Sequence, residues 1–178
     1  VPPFVIEIDW WNYNTEVYDK MPITSWWDLT KEEWKGKFIF LDPTGEPDLI
    51  VLFTAMIQYA DQMAADYERV FGEPIVLADN EPTAAHAWIN RVAKNGVIIE
   101  SSNTNIVKNV GGAAGMVDPP IGYGVSSKLR ERDLQGYLLG VDPGAFEDET
   151  PTTAISFMVA QIADKCEHPN AAKLFIRY

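Results

Sequence analysis

Three short clusters of hydroxyls and carboxylates are the residues of this chain best suited to hold a small solute. The first is Asp42-Pro-Thr-Gly-Glu46, where the Thr44 hydroxyl and the Gly45 and Glu46 amides stand just before a predicted helix. The second is Ser101-Ser-Asn-Thr104, which sets Ser101, Ser102, Asn103 and Thr104 at another predicted helix start. The third is Asp118-Pro-Pro-Ile-Gly-Tyr123, a stiff loop presenting the Asp118 carboxylate and the Tyr123 phenol. N–H groups at a helix start, aided by the helix dipole, bind anions such as phosphate or carboxylate. Each cluster is equally a good N-cap or turn, worth about 1 kcal/mol to stability. All three are expected at the carboxyl edge of one sheet, where ligands of α/β folds sit. That shared placement brings the binding reading level with the capping one.

Signatures of bond-making chemistry are scarce. The chain has no G-x-G-x-x-G after a strand, no Walker loop, no G-x-S-x-G and no H-E-x-x-H. Its two histidines, His86 and His168, have no partner nearby in sequence and read as structural. Cys166, between Lys165 and Glu167 on a predicted surface link, reads as an idle thiol. No catalytic residue, metal ligand set or cofactor is expected. Trp26, Trp27 and Trp34, in a turn-rich segment, could stack on a sugar or an organic cation. The favoured reading is that they pin a long loop to the core.

The elements that must position these clusters follow from apolar periodicity and punctuation. Strands are predicted over 4–13, 38–41, 97–99, 113–117, 137–141 and 154–160, with 75–77 a short strand or an extended link. A loop with short helical turns is predicted over 22–34, and one long helix over 47–71 with Leu49, Leu52, Phe53, Met56, Ile57 and Ala60 along one face. Another helix opens at Asn80-Glu-Pro82 and stops at Lys94-Asn95-Gly96. A short one runs from Ser101 to Val110, and a last one starts at Pro169. Short apolar strands alternating with helices predict an α/β fold with a largely parallel central sheet covered on both faces.

At 178 residues one domain is the default. Apolar residues at 47% and charged residues at 22% exclude a disordered or fibrous chain. Twenty-six Asp and Glu against 14 Lys and Arg leave a net charge of −12, which repels phosphate backbones and anionic lipid heads. Nucleic acid is therefore not an expected partner. No run approaches the roughly 20 apolar residues of a membrane span. The opening Val1-Pro-Pro-Phe-Val-Ile begins in an apolar run, and the last helical pattern stops in mid-period at Tyr178. The chain thus reads as a segment of something longer.

Taken in order, Tyr13-Asn-Thr15, Pro22-Ile-Thr-Ser-Trp-Trp-Asp-Leu29, Glu33-Trp-Lys-Gly-Lys37 and Asp42-Pro43 resemble bacterial extracellular solute-binding proteins of ABC importers. The resemblance is to the ferric-ion and sugar-phosphate branch, of type II periplasmic-binding fold. Gly111 to Val117 resembles the family's small-residue strand before the ligand loop, and His168-Pro-Asn-Ala-Ala-Lys-Leu-Phe-Ile176 its return segment. Such proteins trap a solute between two α/β lobes joined by crossing strands.

The resemblance implies that residues 1–178 are the second lobe, a single three-layer unit with crossing strands near 4–13 and 150–158. It implies a periplasmic or extracellular location, with lipid anchoring where the upstream signal directs it. The implied partners are a small-molecule solute, the importer's membrane subunits, and either the missing first lobe or a second copy of the chain. The wall of the solute site would comprise Thr44, Gly45, Glu46, Ser101, Ser102, Asn103, Thr104, Asp118 and Tyr123. Iron-binding members resemble one another in a tandem tyrosine pair at the third loop, where this chain has Tyr123 alone, so ferric iron is disfavoured. A phosphorylated sugar would put its anion on Ser101–Thr104 and its hydroxyls on Asp118 or Glu46. Against that stand the absence of Lys and Arg from the three loops and the net charge, which suit an organic cation or polyamine. A different class is a small α/β enzyme with Glu46, His86 or Asp118 as base. Another is an interaction module that self-associates into a dimer through open edges.

Overall fold

The computed structural model of the chain describes residues 5–142, 146, 150, 151, 153 and 155–177. Phe4, Thr152 and Ala154, which belong to the two expected crossing strands, lie outside that set. The leading strand β1 (Val5–Asn14) is rich in Val, Ile and Trp, residues that suit a pleated, packed surface. Its two halves do different things. Residues 9–14 lie between β4 (Ile121–Val125) and β5 (Leu139–Asp142), antiparallel to both. Residues 5–8 run beyond the sheet and pair with β6 (Ile155–Met158) as an antiparallel ribbon.

β2 (Phe38–Leu41) lies parallel to β4 on one side and to β3 (Ile98–Glu100) on the other. The order across the sheet is β3-β2-β4-β1-β5. β2, β3, β4 and β5 therefore all point one way, and β1 alone is reversed among them. This is the largely parallel α/β sheet expected, with one strand inserted against the grain.

Side-chain alternation in β4 explains the three layers. Tyr123 faces an aromatic cluster, its ring centroid 5.1 Å from Trp11 and 5.7 Å from Phe40. That face carries α1 (Pro47–Gln58), α2 (Ala60–Phe71) and α3 (Ala84–Lys94), through contacts such as Phe40 with Phe53 and Trp26 with Trp88. Gly122 and Gly124 face the other way, onto α4 (Asn103–Gly111). A methyl group at Gly122 would stand 2.5 Å from Ile106 Cγ2, and one at Gly124 2.5 Å from Asn103 Oδ1. The glycines let α4 sit directly on the strand.

The tryptophans pin the loop over 22–34 to the core, as expected. Ser25 caps a 3-10 turn over Trp26–Thr30 by accepting from the Trp27 amide, while Asp28 accepts from the Ser25 amide. The turn buries Trp26 and Trp27, whose indole N–H groups donate to Pro151 O at 2.7 Å and Met63 O at 2.8 Å. Trp34 is buried as well.

Three expectations need correction. The single helix over 47–71 is two helices that break at Tyr59 (φ −103°, ψ 34°), although the buried stripe Leu49, Leu52, Met56, Met63 runs through it. No Gly or Pro marks the break. α2 instead follows its docking on the 3-10 turn, where Trp27 reaches Met63 O and the Ser25 hydroxyl reaches Asp66. Of the two readings for residues 75–77, a short strand or a link, the structure has the link. Residues 113–117 are a turn through Gly115 (φ +72°), and Val117 is 94% exposed, which no core strand tolerates. The strand in that part of the chain is Ile121–Val125, hidden from pattern reading by the glycines α4 requires. α5 (Arg130–Gln135) was not expected, and α6 (Pro169–Arg177) begins at its proline as expected.

Candidate functional site

Because β2, β3 and β4 are parallel, Leu41, Glu100 and Val125 all end at one edge. The reversal of β1 brings Asp9 to that edge, directly opposite Val125. Beyond β2 the chain makes an Asx turn: the Asp42 carboxylate accepts from the Thr44 amide at 2.9 Å and the Thr44 hydroxyl at 2.7 Å. These two bonds, the hydroxyl first, hold the Asp42 carboxyl below its ordinary pKa. Gly45 donates to Asp42 O, and Glu46 stands at the N-cap of α1. Beyond β3, Ser102 caps α4 by accepting from the Asn105 amide, and Ser101 and Thr104 are exposed beside it. Asn103 points back at the sheet, where its Oδ1 accepts from the Val125 amide at 3.1 Å.

A narrow cleft opens between these parts, lined by Asp9, Glu46, Asp48, Asn103, Tyr123 and Gly124 among others. Its volume of about 10 Å³ is that of a site for one water-sized group. Asp9 is only 4% exposed, and its Oδ2 has no hydrogen-bond partner. Burial pushes the Asp9 carboxyl up to about 7, and the nearby carboxylates of Asp48, Glu7 and Glu46 push in the same direction. Asp48 accepts from the Ser156 hydroxyl of β6 at 2.6 Å, and Ile8 N–H donates to Ser126 Oγ at 3.1 Å. The outgoing ribbon is thereby tied to the cleft. Among the described residues no three His, Cys, Asp or Glu side chains are placed to hold one metal ion.

The sequence-predicted site is thus only partly gathered. Glu46, Asn103 and Tyr123 line one cleft. Thr44 and Gly45 belong to the turn before it, and Ser101, Ser102 and Thr104 to the helix start beside it. Tyr123 lines the cleft as part of β4, while its ring is fully buried in the aromatic cluster. Asp118 stands elsewhere. It precedes β4 instead of following a strand, and forms an ion pair with Lys37, which precedes β2. Asp118 therefore marks the amino edge of the parallel strands, opposite the cleft. There Tyr18 O–H reaches Pro119 O, and burial first, then the Asp118 charge, raises the Tyr18 phenol.

The residues considered as a catalytic base are also dispersed. His86 Nδ1 is 2.8 Å from the Thr83 hydroxyl at the start of α3, whereas Glu46 and Asp118 stand at opposite edges. Sequence reading missed Asp9 and Asp48. The available signal was Glu7-Ile-Asp9-Trp-Trp, where carboxylates alternate into a strand otherwise built of core residues.

No curated protein matches the sequence. Solved structures match it in fold. The spermidine/putrescine ABC transporter substrate-binding protein PotD of Streptococcus pneumoniae superposes with a TM-score of 0.51 at 13% identity, over 98% of this chain and 46% of its own. Iron-bound HitA of Pseudomonas aeruginosa gives 0.50 at 17% identity, over 98% and 48%. A protein described as a two-component system protein in signal transduction gives 0.53 at 12% identity, over 99% and 50%. The chain spans about half the length of each of these structures. The chain has the type II periplasmic-binding fold. Residues 2–178 match the family described as bacterial extracellular solute-binding protein, and the chain belongs to that family.

Proposed function

We propose that this chain is the second lobe of a solute-binding protein that captures a small molecule outside the cytoplasm for an ABC importer. The solute rests on the carboxyl edge of the sheet. Its wall comprises Glu46, Asn103 and Tyr123, with Asp9 and Asp48 added and with Thr44, Gly45, Ser101, Ser102 and Thr104 as the rim. Recognition by closure of two lobes, without bond chemistry, is the mechanism. The outer half of β1 and β6 are the crossing strands, a narrower pair than the 4–13 and 150–158 segments read from the sequence.

One observation carries this reading. The ribbon of Val5–Ile8 and Ile155–Met158 leaves the sheet beside the cleft with Ile6 52% and Phe157 64% exposed. Two strands that run past a sheet edge with apolar faces uncovered are suited to pass between lobes, and a second lobe there would roof the cleft. A second copy of the chain is the other cover that such open apolar strands would take.

A phosphorylated sugar, the first solute class expected from the resemblance, would set its phosphate at the start of α4. Asp9, Glu46 and Asp48 line the adjoining cleft, and neither loop at that edge carries a Lys or Arg. Like charge at that range works against the anion.

The test is an amide NMR titration of the chain with a panel of inorganic phosphate, glucose-6-phosphate, putrescine and ferric citrate. A single lobe makes only part of the contacts, so the panel is used at millimolar concentration. At least one member should shift the amides of Thr44, Asn103 and Gly124 saturably. If every member leaves that edge unmoved, the lobe is not a solute wall.

A further inference from the structure

We propose that the cleft at the carboxyl edge is an ammonium subsite, in which Asp9, Glu46 and Asp48 seat the amine head of an organic cation. This rests on the reading of that edge as the solute face, and it names the class of solute. The first support is Asp9 itself. A buried carboxylate oxygen without a partner is a costly arrangement, which an Asn or an apolar residue would avoid. Asp9 lines the cleft that carries Glu46 and Asp48, and its Oδ2 is in that state.

The second support is the sign of the surroundings. The charged groups that act on Asp9 are Asp48, Glu7 and Glu46, with no cation among them. Asp48 has a neutral partner in Ser156, which leaves its charge uncompensated by that bond. The site is negative and wants a positive occupant.

The third support separates an organic cation from a metal ion. A hard metal gathers several oxygens about one point at 2–2.6 Å, and no three acidic or imidazole side chains among the described residues stand that way. An ammonium has several N–H donors and reaches acceptors at about 2.7–2.9 Å in diverging directions, so it suits carboxylates set apart. A volume of about 10 Å³ takes one group the size of a water, which an amine head is. The rest of the solute must lie outside, against the rim. The buried Trp26 and Trp27 do not take part.

The experiment compares putrescine, uncharged butanediol and glucose-6-phosphate against the chain, read at the amides of Asp9, Asn103 and Gly124 at constant ionic strength. Putrescine should shift them saturably and butanediol should not. Asp9→Asn should weaken putrescine about tenfold or more, the range of a lost charge-assisted hydrogen bond. Glu46→Gln, at a half-buried position, is a second variant should the first disturb folding. Glu73→Gln, an exposed carboxylate outside the cleft, should change nothing. Affinity should also rise between about pH 6 and about pH 8, because the bound amine selects the ionised carboxylate. Asp48, Glu7 and Glu46 face the same carboxylate, so the profile belongs to the group as a whole.

Three results overturn the proposal. Putrescine could leave these amides unmoved, bind both cleft variants as tightly as the wild type, or lose affinity as pH rises. If glucose-6-phosphate saturates the same amides in place of putrescine, the ammonium subsite falls and the solute face stands. If no member of the wider panel reaches that edge, both fall.

Discussion

Two aspartates at opposite edges of one sheet have opposite surroundings. Asp118, before β4, pairs with Lys37 and is half exposed, so water and a cation both stabilise its charge. Asp9, across from the end of β4, is buried, has an unpartnered oxygen, and has other carboxylates for neighbours. Reading residue types alone favours Asp118, because it sits in a loop with a Pro-Pro and a tyrosine. The energetics favour Asp9. A compensated surface carboxylate is self-sufficient, whereas an uncompensated buried one has an unmet need that a ligand can fill.

The contrast can be broken most forcefully at Gly124. Gly124→Ala would drive a methyl into Asn103, whose side chain holds the Val125 amide opposite Asp9. Overpacking of this kind costs about 1–3 kcal/mol, so chemical denaturation should show a lower midpoint and the titrations a lost or displaced cleft. An unchanged midpoint would mean that α4 does not rest on β4 as described.

Next in size is the pH dependence attached to Asp9. Its folded pKa lies above the unfolded value, near 7 against 3.8. Its contribution to stability is therefore fully present below about pH 4 and is lost as pH rises through about 7. Asp9→Asn should raise Tm at about pH 8, at roughly 2–4 °C per kcal/mol for a chain of this size. It should also flatten the decline of wild-type Tm between about pH 5 and pH 8. A variant less stable than wild type at the upper pH would show that the carboxylate is satisfied after all.

At the other edge the effect should be smaller. Lys37→Met removes a partly exposed ion pair, and surface pairs contribute about 0.2–1 kcal/mol. Stability should fall slightly and less so in high salt, with the amides at Asn103 and Gly124 unmoved. A response at the cleft would join the two edges that the structure keeps apart.

The smallest effect belongs to the Asx turn. Thr44→Val removes the hydroxyl bond to Asp42, so the Asp42 carboxyl should titrate closer to its ordinary value by carboxylate NMR. A titration identical to wild type would show that the amide bond alone sets it.

Much of the scaffold was legible because local chemistry dictates it. β2 falls at the predicted residues, and α4 starts where Ser102 can cap it. α3 ends at the glycine that can adopt φ +79°, and the short turns form around Ser25 and Asp28. The misplaced strand has a cause in packing. Residues 113–117 look like a strand and residues 121–125 look like a loop, because the packing of α4 asks β4 for glycines where a strand would ordinarily carry β-branched residues. That exchange moved Asp118 to the wrong edge in the sequence reading. It left Asp9 unread, since a carboxylate in β1 has no meaning until its neighbours are known.

Composition and periodicity by themselves determined an acidic α/β chain, the elements bounded by caps and turns, and the two hydroxyl and carboxylate loops at 42–46 and 101–104. These depend on interactions between residues a few positions apart, which any pattern of types displays. The tertiary structure alone decided which carboxylates meet. The reversed insertion of β1 sets Asp9 opposite Val125, and the pairing of β6 brings Ser156 to Asp48. Both follow from strand register across the whole chain, where burial and charge are set by neighbours that the linear order does not reveal.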